Sequence, residues 1–172
     1  MGDAGRSPLL ALIPLAILLA ALTLMLAVNR SPAVPQPIAF NHLLHIEGEG
    51  LDCEDCHEYV RVSAHAGLPG AEICSECHDT LQGDSEESAR VTALIEQDEP
   101  LRFNKLFSLP DHVFYTHRRH VGIGELECLQ CHGDIAETER PPERPLISIS
   151  MEYCVDCHRE QGETLDCNAC HR

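Results

Sequence analysis

Residues 40–57 read "FNHLLHIEGEGLDCEDCH", and residues 115–132 read "YTHRRHVGIGELECLQCH". Each stretch holds HxxH, an acidic loop bearing glycine, and then CxxCH. In both, the first histidine precedes the first cysteine by 11 residues (53 − 42 and 128 − 117). A pattern that occurs twice at fixed spacing marks a repeated unit. Its CxxCH end sets the chemistry of the whole chain.

The chain has ten cysteines, and every one belongs to a CxxCH. The five motifs are Cys53, Cys56 and His57; Cys74, Cys77 and His78; Cys128, Cys131 and His132; Cys154, Cys157 and His158; and Cys167, Cys170 and His171. Paired CxxC elements also occur in zinc sites, but zinc does not require a histidine directly after each pair. Histidine is 11 of 172 residues, so five such coincidences have a chance on the order of one in a million. CxxCH is the attachment signature of c-type haem. Each thiol adds across a porphyrin vinyl group, and the adjacent histidine is held against the iron. The reading is five covalent haems c, with His57, His78, His132, His158 and His171 as proximal ligands.

Six histidines remain: His42, His45, His65, His112, His117 and His120. Five irons need at most five distal ligands, so these six are the distal candidates with one to spare. Met151, three residues before Cys154, is an alternative ligand that would raise the potential of its haem; packing beside a porphyrin is its ordinary role. Iron with both axial positions filled offers no site for a substrate. That is relay chemistry, and it argues against an enzyme.

Composition agrees with a chain organised around cofactors. Tryptophan is absent, with four Phe and three Tyr. A soluble part this poor in aromatics needs staples or cofactors as its core. The 133 residues from 40 to 172 leave about 27 per haem site. The expected fold is therefore mainly irregular, with short α-helices carrying CxxCH and the haems as core. A net charge of −16 excludes nucleic acid, whose phosphates demand Lys and Arg.

Residues 9–28 form an uncharged apolar run, long enough to cross a bilayer as one helix. Its length, and the lack of a small-x-small site after it, favour an uncleaved transmembrane anchor over a signal peptide. Residues 1–8 would then be a cytoplasmic N-terminus. Residues 29–39, with Pro32, Pro35 and Pro37, would form an extended linker. Residues 40–172 would be the extracytoplasmic pentahaem domain, with modules at 40–78 and 111–158 and a terminal haem site at 167–171. Haem attachment occurs outside the bacterial cytoplasmic membrane, which sets the orientation as single-pass, N-in, with a periplasmic haem domain. Between the modules, Asp84 or Ser85 can cap a helix with Val91, Leu94 and Ile95 on one face.

HxxH followed by CxxCH resembles the class III cytochromes c. In that family the first histidine of HxxH serves the following CxxCH and the second reaches another haem. The resemblance assigns His42 to the haem of His57 and His117 to that of His132, with His45 and His120 reaching other haems. The stretches "HAGLPGAEICSECH" (65–78), "LPDHVFYTHRRHVGIGELECLQCHGDI" (109–135) and "MEYCVDCHRE" (151–160) are similar to the pentahaem subunit of alternative complex III. That implies an electron-transfer subunit of a membrane quinol-oxidising complex, passing electrons to a periplasmic acceptor or oxidase. The implied partners are an iron–sulfur protein, quinol-binding membrane subunits, and a monohaem cytochrome c or oxidase. A membrane-anchored cytochrome acting alone, feeding a soluble periplasmic reductase, is the alternative.

Overall fold

The computed structural model describes residues 8–28 and 33–172, with side chains of the first helix described at 13–14 and 16–25. Two compact units divide between Ala33 and Val34. In the first, the backbone of Pro8–Val28 forms one helix, α1, with Pro14 inside it. Among the described residues, no helix is long and apolar enough to cross a membrane. The membrane span expected over 9–28 is therefore not supported by the structure. The part of α1 whose side chains are described falls short of the ~20 residues that a bilayer core requires. Residues 1–7 and 29–32, which hold most of the expected cytoplasmic terminus and the start of the linker, lie outside the described residues.

The second unit is short helices joined by irregular chain, and no strand forms among its described residues. One isolated bridge pairs Val113 with His171. Every CxxCH starts or ends a helix or lies within one: α2 Cys53–Cys56, α3 Ala71–His78, α5 Cys128–His132, α6 Met151–Gln161 and α7 Cys167–Cys170. Three of these are a single turn, and each is held by the acidic residue before its first cysteine. Asp52 with Asp55, and Glu127 with Gln130, form reciprocal capping boxes, and Asp166 accepts from the Asn168 N–H. Such caps satisfy donors that a one-turn helix cannot satisfy itself. The longer α6 is capped by Ser150 and ends at Gly162, whose φ of 74° is the left-handed conformation that glycine adopts without cost. The helix anticipated after Asp84 is α4, Glu86–Glu96, capped by Ser85.

The apolar core is small. Ile38, Val91 and Leu101 are buried together, with Phe40, Cys74, Leu94, Ile95 and Phe103 packed on them. Residues 34–39 of the proline-rich stretch lie on this unit. The Val34 N–H donates to the Glu143 carbonyl, and Gln36 and Asn104 exchange hydrogen bonds.

The two HxxH stretches fold alike. Each makes a wide turn with hydrogen bonds to the fifth residue back, at Leu44–Gly48 and Arg118–Ile123. They are joined through the loop after α2. The N–H groups of His117 and Arg118 donate to the carbonyls of Ala64 and Ser63, at 3.1 and 2.9 Å. Arg61 reaches the Val121 carbonyl at 3.3 Å and pairs with Glu54. At this seam Gly122 lies directly on the Arg61 backbone, and a Cβ there would overlap the Arg61 carbonyl. Gly122→Ala is expected to destabilise the protein by about 1–3 kcal/mol, as forced overpacking does. Gly48→Ala, whose methyl meets only the movable Leu44 side chain at 3.1 Å, should cost less. Equal melting temperatures for the two variants would contradict this description of the seam.

Candidate functional site

The fold places four of the five CxxCH histidines ring to ring with a histidine from outside the motifs. His117 and His132 are stacked, with ring centroids 6.3 Å apart and planes 7° from parallel. His112 and His171 are 5.6 Å apart. His45 and His78 are 6.3 Å apart at 39°, and His120 and His158 are 6.1 Å apart at 42°. The last two pairs are equivalent positions of the repeat and share nearly the same tilt. His42 lies within electrostatic reach of His57. His65 is exposed and joins none of these ring pairs among the described residues. Met151 is 66% exposed, at the first turn of α6.

The spacing fits one metal ion between two rings. An imidazole nitrogen sits about 2 Å from a bound metal and roughly 1 Å from its own ring centre, so two such rings have centroids about 6 Å apart. Orientation agrees as well. The Nδ1 atoms of His45, His120, His57, His117 and His158 lie 2.7–3.0 Å from the carbonyls of Asn41, Thr116, Gly67, Ala64 and Thr164. The Nδ1 of His42 lies 3.0 Å from the Thr138 hydroxyl. An Nδ1–H donated to a carbonyl fixes the tautomer and leaves Nε2 as the free electron pair toward a metal. Among the described residues, no three or more His, Cys, Asp or Glu converge on a position that could hold a bare metal ion. Two facing imidazoles are what an iron already held by a porphyrin requires.

Two aromatic residues complete the arrangement, and the sequence reading missed both. Phe40 meets His42 edge-on at 4.8 Å and stacks on His45 at 4.4 Å. Tyr115 repeats this against His117 at 5.0 Å and His120 at 4.5 Å. The available signal was an aromatic residue two positions before each HxxH. Burial pushes the Tyr115 phenol up to about 12, so it stays a neutral hydroxyl.

All ten motif cysteines are free thiols. Cys53, Cys56, Cys74, Cys128, Cys131, Cys157 and Cys170 are partly buried, whereas Cys77, Cys154 and Cys167 are exposed. Cysteines of different motifs approach one another. Burial, followed by the nearby Cys128, pushes the Cys53 thiol up to about 11. Burial raises the Cys131 thiol too, with Cys157 of α6 the foremost charge acting on it. Cys77 sits near the end of α3, open to solvent, next to His78.

Tyr153 of α6 donates its hydroxyl to the Gln130 carbonyl within α5. The C-terminus is tied back by Phe114 N–H to the Cys170 carbonyl, by Arg172 N–H to the His112 carbonyl, and by the Arg172 guanidinium over the Phe114 ring at 3.3 Å. Burial lowers the histidines, His42 to about 4, with the charges of His57 and His45 adding to the effect. His78, His117 and His132 are lowered too, again first by burial.

Residues 113–172 match the family described as cytochrome c7 and related cytochrome c. Residues 24–103 match the class III cytochrome c family. The chain is 32% identical over 156 residues to the multihaem cytochrome c subunit of menaquinone reductase from Nitratidesulfovibrio vulgaris strain Hildenborough, covering 78% of this chain and 74% of the relative. The two family matches divide between the two HxxH–CxxCH stretches.

The lowered histidines make stability depend on pH with a definite sign. Their folded values lie below the ordinary 6.5, so the unfolded chain takes up protons first as pH falls. Thermal stability is expected to decline from about pH 6.5 toward pH 4, the folded value of His42. Melting curves recorded across that window test it, and a flat profile would count against the buried, neutral histidines.

Proposed function

Because the chain belongs to the multihaem cytochromes c, we propose that it is an electron relay with five haems c, held within a quinone-linked membrane complex. The observation that carries this reading is the recurrent pairing of a motif histidine with a non-motif histidine at 5.6–6.3 Å. Bound haem supplies one-electron iron chemistry, ferric to ferrous and back.

The chain's own residues hold and tune that group. The cysteine pairs Cys53 and Cys56, Cys74 and Cys77, Cys128 and Cys131, Cys154 and Cys157, and Cys167 and Cys170 attach it. His57, His78, His132, His158 and His171 would each bind the iron of their own motif. His42, His45, His117, His120 and His112, in that order, would supply the second histidine to each, leaving His65 as the spare. Carbonyl acceptors lock the imidazoles, so an electron can arrive or leave without ligand exchange. Both faces of each iron are then closed, and the protein carries electrons without transforming a substrate. Met151 keeps its packing role at the start of α6.

Helix α1 serves as a single-pass, N-in anchor, with the haem domain on the periplasmic side of a bacterial inner membrane. The uncharged apolar run of residues 9–28 in the sequence supports this. The partners are an iron–sulfur protein, quinone-binding membrane subunits, and a cytochrome c or oxidase. Electrons run from quinol to a periplasmic acceptor, as in alternative complex III. The relative's name, a menaquinone reductase subunit, favours as a second reading the same relay working toward quinone.

Five measurements decide these points. A pyridine haemochrome assay should give five haems per 19.0 kDa chain. Carbon monoxide should leave the reduced spectrum unchanged; a bound form would reveal an open iron and an enzyme. His65→Ala should keep the low-spin spectrum of the parent, while His117→Ala should add a high-spin signal from one haem in five. Mild detergent extraction should yield partner subunits, and recovery of the chain alone would sink the complex. With the complex in hand, menaquinol oxidation against menaquinone reduction sets the direction.

A further inference from the structure

We propose that the five attachment sites form one unbranched line whose order departs from the order of the motifs: 74–78, 53–57, 128–132, 154–158, 167–171. The proposal rests on the haem reading above. It adds that the second and fifth motifs are the two ends of the relay, where electrons enter and leave, and that the first motif is interior.

Each step has its own contact. The sites at 74–78 and 53–57 share one turn, because His45 faces His78 while His42, three residues earlier, interacts with His57. Phe40 lies against both distal rings. Cys56 and Cys74 also interact electrostatically. The sites at 53–57 and 128–132 meet at the seam, where Arg118 N–H donates to the Ser63 carbonyl at 2.9 Å, Arg61 reaches the Val121 carbonyl at 3.3 Å, and Cys128 acts on Cys53. There His117, the partner of His132, takes its backbone and ring acceptor from Ala64.

The sites at 128–132 and 154–158 repeat the first step. His117 and His120 are three residues apart, Tyr115 lies against both, and Tyr153 is bonded to Gln130. Cys131 and Cys157 interact across this step, as Cys56 and Cys74 do across the first. The last step joins 154–158 to 167–171, nine residues further along the chain (167 − 158); the His158 ring lies 2.8 Å from the Thr164 carbonyl between them, and Cys170 acts electrostatically on Cys154. His112 and His171 are held there by the backbone bonds of 112–114 to 170–172. The line therefore alternates between two kinds of joint. One is a shared HxxH turn with an aromatic ring, which occurs twice. The other is an approach of cysteines without such a turn, at the seam and at the C-terminal end. Each hop along it oxidises one ferrous iron and reduces its ferric neighbour, with no proton or ligand exchanged.

The test uses the full-length holoprotein in detergent, with redox titration followed by the NMR signals of the individual haem methyls. In the unmodified protein, the pairwise redox interactions should decrease with separation along the proposed line. Two variants probe its ends. His112→Met raises the potential at 167–171, since Met/His ligation lies above bis-His. The shift it causes at 154–158, one step away, should be roughly fourfold that at 74–78, four steps away, by the inverse dependence on distance. His45→Met should show the mirror result, largest at 53–57 and smallest at 167–171. The order is overturned if the strongest coupling of 74–78 is to any site other than 53–57, or if His112→Met shifts 128–132 more than 154–158. Fewer than five haems in the unmodified protein overturns the underlying reading instead, and is seen before any variant is made.

Discussion

Two imidazole rings held about 6 Å apart, with their free nitrogens facing, are the constraint that the rest of this protein serves. A metal centre tolerates little error in that spacing, and an imidazole on a free side chain would not keep it. The fold answers with short rigid pieces. One-turn helices, closed by Asp52, Glu127 and Asp166, point the motif histidines. The wide turns at 44–48 and 118–123 point their partners. Carbonyls then fix the rotation of five of the rings, His45, His57, His117, His120 and His158. The apolar core around Ile38, Val91 and Leu101 is modest, and its place is beside the Cys74 site, where α3 and α4 pack together.

The same constraint explains the electrostatics. An iron ligand must be a neutral imidazole, and burial supplies it by making protonation unfavourable at His42, His78, His117 and His132. The chain's net charge of −16 would by itself favour protonated histidine. Desolvation opposes that locally, so an acidic protein can keep these rings uncharged. The acidic surface also favours ferric over ferrous iron and pushes potentials down.

What the sequence reveals follows from how local each feature is. The CxxCH motifs, the capping acids beside them and the Ser85 start of α4 are written within a few residues, and all were readable or nearly so. The tandem HxxH pattern predicts two turns of the same shape, because the Nδ1 acceptors Asn41 and Thr116 sit four residues before His45 and His120. Pairings across the chain were not readable. His45 faces His78 and His120 faces His158 only because α3 and α6 return to those turns. For the same reason the spacing within CxxCH makes Cys77 and Cys157 equivalent, while the fold leaves the first exposed and tucks the second beside Cys131. That His65 is the histidine left over depends on a loop placing it outside the ring pairs. Nothing within the loop's own residues encodes this. The apolar run at 9–28 was legible as helix, and α1 is one.

The duplication itself has a physical rationale. Within one stretch, a histidine pair three residues apart reaches two different sites, so a single turn of backbone fixes the distance between neighbours. Phe40 and Tyr115 stiffen that turn by lying against both rings. A turn of this kind can join only two sites, and extending the array requires a different joint. Gly122 against the Arg61 backbone, with Cys53 meeting Cys128, is that joint. Here the absence of a side chain at one residue lets two copies of the turn approach closely, bringing Cys128 within electrostatic reach of Cys53. The repeat thus sets the spacing inside each pair, and the seam alone sets whether the pairs form one array.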